Sequence, residues 1–110
     1  MESWKVGDVQ IHRVVDLLMD MPITYLFPEA KPEQLLPLHS WLMPHFMQPD
    51  GKTMTVSVHT FVIQSGDATI VVDTCIGNDK ERDAPNWNLR TSDFLDRLAE
   101  RGAAREAVDM

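Results

Sequence analysis

The chain has 110 residues, enough for one small domain with a modest core. Its 44% hydrophobic and 25% charged residues exclude a disordered or fibrous protein. Ten Lys and Arg against 17 Asp and Glu leave a formal charge of −7 with no basic run, which excludes a nucleic-acid or anionic-membrane surface.

A lone cysteine, Cys75, permits no internal disulfide, so a reducing, cytoplasmic setting is expected. Residues 1 to 9 carry neither the basic nor the apolar region of a signal peptide. No apolar stretch reaches the roughly 18–20 residues of a membrane helix.

Residues 4 to 15 read as a strand, with Val9 and Ile11 on one face and Gln10 and His12 on the other. Gly7-Asp8 marks a bulge or turn near its start. Between residues 22 and 49 fall six of the seven prolines, which rules out one long regular element. Large apolar side chains crowd the same stretch, so it is no polar linker. It reads as an ordered arm, spanning about residues 20–50, with short helical turns near Glu33–Leu36 and Ser40–Phe46. Its aromatics Tyr25, Phe27, Trp41 and Phe46 suit a pocket wall, a contact to a second copy of the chain, or plain core packing.

The clearest feature is a hairpin. Residues 53 to 63 alternate at period two, with Met54, Val56, Val58 and Val62 on one face. Thr55, Ser57 and His59 begin the other face, which turns apolar at Phe61 and Ile63. A turn at Gln64-Ser65-Gly66-Asp67 leads into a second strand, Ala68–Asp73, whose run Ile70-Val71-Val72 calls for cover on both faces. A loop over residues 74–90 precedes a helix capped by Thr91 or Ser92, with an apolar stripe of Phe94, Leu95 and Leu98. Asp93 and Arg97 can pair four residues apart, and Gly102 suits the position past the helix end. The alternation beginning at Ala107-Val108 predicts another strand, so the chain is expected to be the front part of a longer domain.

Asp73 is the first candidate for chemistry. It stands at the carboxyl end of a strand, where sites of α/β proteins gather, and there it can orient a ligand or simply cap the loop backbone. Cys75 has no His or basic residue close in sequence, so a packing thiol is favoured over a nucleophile. The mixed charges of Asp79–Asp83 read as a solvated loop. None of His12, His39, His45 and His59 stands at a ligand spacing to another.

The segment Phe61–Lys80, two strands leading to Asp73-Thr74 and a Gly77-containing loop, resembles the early hairpin of metallo-β-lactamase-fold hydrolases. The opening Trp4–Ile11 and the Leu26–Ala30 segment are similar to a lactonase-like branch. The resemblance implies the N-terminal part of an αββα sandwich, an α/β (α+β) fold of mostly antiparallel strands with one flanking helix. It also implies hydrolysis of an ester, lactone, amide or phosphoester by hydroxide bound to zinc or another divalent metal. Asp73 matches the supporting aspartate that braces the metal ligands, and Cys75 departs from the Gly of many members. The ligand motif Thr-His-x-His-x-Asp-His is absent, so no catalytic or metal-ligating residue is assigned and this chain alone is expected to be inactive. The alternative is a small non-catalytic domain that binds a partner through the arm.

Overall fold

The computed structural model describes residues 2–110. Four strands, β1 (Ser3–Val6), β2 (Val9–Pro22), β3 (Thr53–Ser65) and β4 (Ala68–Val72), form one sheet in the order β1-β2-β3-β4. Three short helices, α1 (Pro32–Leu35), α2 (His39–Leu42) and α3 (Phe94–Ala99), accompany it. Contacts divide the chain into two units: residues up to Leu17 with Val58–Met110, and Leu18–Ser57.

The first unit holds two antiparallel hairpins. The single strand expected over residues 4–15 is two strands, because the chain reverses at Gly7-Asp8 and Val6 pairs with Val9. The second hairpin reverses at Gly66-Asp67, with Ser65 opposite Ala68 and Phe61 opposite Val72. Gly7 and Gly66 each take the first loop position, with φ of 60° and 58°, a geometry that two-residue hairpin turns of mirror-image type demand.

Alternation gives this sheet two chemically distinct faces. Val14 of β2 and Val62 of β3 point to one side, where they meet Phe94 and Leu98 of α3 and Ala103 beyond it. Val71, Cys75 and Val108 pack around this core. Burying a Phe or Leu of this kind contributes about 2–3 kcal/mol, so α3 is held chiefly by two side chains spaced four apart. The expected third member of its stripe, Leu95, is 46% exposed, since a helix turns it about 100° from Phe94. Thr60, on the same face as Val62, is fully buried and donates its hydroxyl to the Val72 carbonyl at 2.8 Å.

The opposite face carries Ile11, Phe61, Ile63 and Ile70, with Trp4 beside Ile11 and Val72 beside Phe61 in the strand register. Trp4 and Phe61 meet edge to face, with ring centroids 6.2 Å apart. None of these six side chains is fully buried, and Trp4 and Val72 are close to half exposed. The cover expected on both faces of β4 is partial: Ile70 and Val71 are both half-buried, on opposite sides, and Val72 at the strand end is exposed. Along the outer edge of β4, the Asp109 amide donates to the Thr69 carbonyl at 2.9 Å and the Val71 amide to the Met110 carbonyl at 2.7 Å. Residues 105–107 form a 3-10 turn, and from Val108 (φ −82°, ψ 126°) the chain is extended and runs along β4 through these bonds, where the alternation predicted a strand.

Helix α3 ends as its sequence requires. Gly102 adopts φ 77°, and the Ala103 amide returns to the Leu98 carbonyl at 3.0 Å. Arg97 pairs with Asp93 at 2.9 Å across one helical turn.

The second unit, Leu18–Ser57, contains the proline-rich arm. Its helical turns lie at Pro32–Leu35 and His39–Leu42, each starting slightly earlier than expected. The second stops at Leu42 because Met43 precedes Pro44 and is extended (φ −91°, ψ 144°), as sterics at that position favour. Met47 and Met54 are buried and paired by an isolated bridge. Asp50 accepts the amides of Lys52 and Thr53, both at 2.9 Å, and closes the turn into β3.

Replacing Gly102 with Ala tests the account of the helix end. A Cβ there would lie 2.8 Å from Gln64 Nε2, on a backbone that disfavours side chains. We expect Gly102→Ala to lower unfolding free energy by about 1–2 kcal/mol in urea titrations, and an unchanged midpoint would refute it.

Candidate functional site

Beyond the carboxyl end of β4 the chain makes a long excursion, residues 73–92, before α3 begins. Asp73 opens it in the left-handed region, φ 74°, and its Oδ1 accepts the Cys75 amide at 2.7 Å. The carboxylate is exposed and, in this geometry, closes a turn of its own backbone. Cys75 (φ 59°) and Asp79 (φ 56°) share the left-handed conformation, with Gly77 (φ 78°) between them. A non-glycine residue held there costs on the order of 1 kcal/mol. Cys75 occupies a backbone position that glycine takes without strain, which gives a physical meaning to its departure from the Gly noted in the sequence.

The organising residue of this region is one that sequence reading passed over. Asp16, on the face of β2 that carries Val14, is 6% exposed. Arg90 donates Nη1 to its Oδ1 at 2.5 Å and Nη2 to its backbone carbonyl at 2.8 Å. The Ser92 hydroxyl donates to the same Oδ1 at 3.2 Å, and the Ile76 amide to Oδ2 at 3.4 Å. Asn78 joins both ends of the excursion: its Nδ2 donates to the Ser92 carbonyl and its Oδ1 accepts the Ser92 amide, each at 3.0 Å. The signal was present, since a carboxylate two residues from Val14 falls on the core face and an acidic group there demands a partner. The partner, 74 residues away, had no local mark.

Cys75 lies against the core, and burial, reinforced by the negative charges of Asp16 and Asp73, pushes its thiol up to about 12. A thiol so protonated at neutral pH is no nucleophile, in keeping with a packing role. The Asp79–Asp83 run is exposed, and Glu81, Arg82 and Asp83 line an open polar hollow with Asn88 and Leu89. The four aromatics singled out in the arm stand in the second unit. Tyr25, Phe27, Trp41 and Phe46 are between 56% and 70% exposed, with Trp41 and Phe46 edge to face at 6.3 Å. They are not core.

No family model matches the chain, and no curated protein does. Among solved structures it is similar to AbOPH, a hydrolase in the beta lactamase superfamily, with a TM-score of 0.62 and 22% identity. The match covers 97% of this chain and 33% of that one. The chain has the fold of a part of that hydrolase. It spans about a third of the length of the hydrolase it matches.

The sequence resemblance implies a metal centre. Among the described residues no group of three or more His, Cys, Asp or Glu is placed to hold a metal ion. Alternation sets His12 on the face of Val14 and His59 on the face of Phe61, where the His59 and Phe61 rings meet at 5.1 Å. His39 packs against the backbone of Gly51 in the other unit, and His45 is exposed. Asp73 is turned to its own loop. These residues do not fit a catalytic metal of the β-lactamase-superfamily fold, which needs roughly three ligands and an open position.

The state of Cys75 is directly measurable. A thiol at about 12 carries roughly a thousandfold less thiolate than an ordinary cysteine. Alkylation by iodoacetamide at pH 8 is therefore expected to be at least a hundredfold slower in the folded chain than in urea, and equal rates would contradict the assignment.

Proposed function

We propose that this chain forms the front sheet-and-helix layer of a hydrolase with the β-lactamase-superfamily fold. In this reading the substrate is an ester, lactone, amide or phosphoester. The zinc or other divalent metal is held by residues outside 1–110. The observation that carries the reading is the structural match, which accounts for nearly all of this chain and only a third of its counterpart. The incompletely buried apolar face of Ile11, Phe61, Ile63 and Ile70, with Trp4 and Val72 close to half exposed beside it, supports it, because a sandwich of αββα type sets a second sheet against the first. Asp73 would then brace the metal ligands from the carboxyl end of β4, a role in which a carboxylate tunes affinity without touching the metal. The lactonase-like character rests on the sequence resemblance alone.

The exposed arm favours a second reading. Tyr25, Phe27, Trp41 and Phe46 present aromatic surface of the kind enriched at interfaces. A contact through residues 20–50 to a second copy, or a partner-binding domain without catalysis, would use it.

Activity separates the two. Residues 1–110 supplied with zinc are expected to show no turnover of aryl esters, lactones or phosphotriesters. The reading frame continued past Met110 is expected to encode His-x-His-x-Asp-His, and its longer product to hydrolyse one of these classes until a chelator is added. Chelator-sensitive hydrolysis by residues 1–110 alone would overturn the proposal. A stop codon at position 111 with no such motif in any frame would move support to the partner-binding reading.

A further inference from the structure

Asp16 is a buried acid with no part in the proposed chemistry, and its surroundings have a pattern. The residues that reach it come from the two ends of the 73–92 excursion: Ile76 from the start, Arg90 and Ser92 from the finish. Arg90 grips β2 twice, through the carboxylate and through the Asp16 carbonyl. Between these ends the excursion is tied mainly to itself. The Asp79 amide donates to the Arg90 carbonyl at 2.9 Å, the Leu89 amide to the Lys80 carbonyl at 2.8 Å, and the Arg82 amide to Asn88 Oδ1 at 2.9 Å. The Arg82 guanidinium returns to the Ile76 carbonyl at 3.0 Å. The excursion is thus an internally bonded loop whose two feet stand on one carboxylate, with Cys75 against the core and the Ile76 side chain buried at the first foot.

We propose that Asp16 is a latch: its ion pair with Arg90, with the Ser92 and Ile76 bonds, docks the 73–92 loop onto β2, and breaking it frees the loop as a unit while the sheet stays folded.

The asymmetry of buried ion pairs gives the latch its action. Formed, such a pair is close to break-even against the cost of desolvating both charges; losing one partner leaves the other stranded and is strongly unfavourable. The loop then has reason to move out and let Arg90 reach water. The core under α3 contains neither Asp16 nor Arg90, so the sheet keeps its own support. The inference stands whether or not the chain belongs to a hydrolase.

Amide hydrogen exchange on the full 110-residue chain tests it. In Asp16→Asn, exchange at Ile76 is expected to rise about a hundredfold, or to the unprotected rate, with the Val62 and Ile63 amides of β3 unchanged. Arg90→Gln, which leaves the carboxylate with its Ser92 and Ile76 partners, serves if Asp16→Asn does not fold, and is expected to give the same pattern more weakly. Ile76 protection that survives both substitutions would overturn the latch. So would loss of β3 protection in parallel with the loop in both, because the loop and sheet would then open together.

Discussion

A sheet whose strands are apolar on both sides needs a partner layer on each side. The second hairpin meets this demand halfway. Val62 and Val71 turn inward beneath Phe94 and Leu98, and the outward set of Phe61, Ile63, Ile70 and Val72 is only partly buried, with Val72 47% exposed. Hydrophobic burial is the dominant favourable term in folding. The less covered face is therefore the side of the sheet with the most apolar area still to bury.

Electrostatics plays a narrower part. The chain carries seven more acids than bases, and most of them are solvated. Asp16 is the exception, with its side chain nearly sealed and that of Arg90 mostly so. Placed on the core face beside Val14, it converts a position that could have been aliphatic into a docking point for the loop. Stability alone does not recommend this, since apolar replacements of buried pairs are often neutral or favourable. What the pair adds is position: it fixes where the loop leaving β4 runs, at Ile76 and again at Arg90 and Ser92.

Much of the fold was legible because its signals are local. Period-two alternation found β3, the apolar run Ile70-Val71-Val72 found β4, Gly66-Asp67 found their turn, and Gly102 found the end of α3. The prolines correctly divided the arm into short turns, since a pyrrolidine ring acts on its immediate neighbours. The failures have one physical root, tertiary context. Gly7-Asp8 was read as an irregularity in one strand, when the left-handed Gly7 reverses the chain. Leu95 joined the helical stripe by sequence proximity although only Phe94 and Leu98 face the sheet. Asp16 was overlooked because its partners lie 60 to 76 residues downstream. For the site, position was legible and chemistry was not. Asp73 was correctly placed at the end of β4, but its carboxylate closes a local turn, and any use of it at a metal depends on groups this chain does not bring near.

Hydroxyl-radical footprinting of the 110-residue chain at submicromolar concentration compares the two faces of the sheet most directly. Relative to the urea-unfolded chain, Trp4 is predicted to be oxidised much more readily than Phe94, which is 6% exposed on α3, with the partly buried Phe61 between them. Protection of Trp4 equal to that of Phe94 in a monomer would mean that this chain covers both sides of its own sheet alike, and the account of a less covered outer face would be wrong.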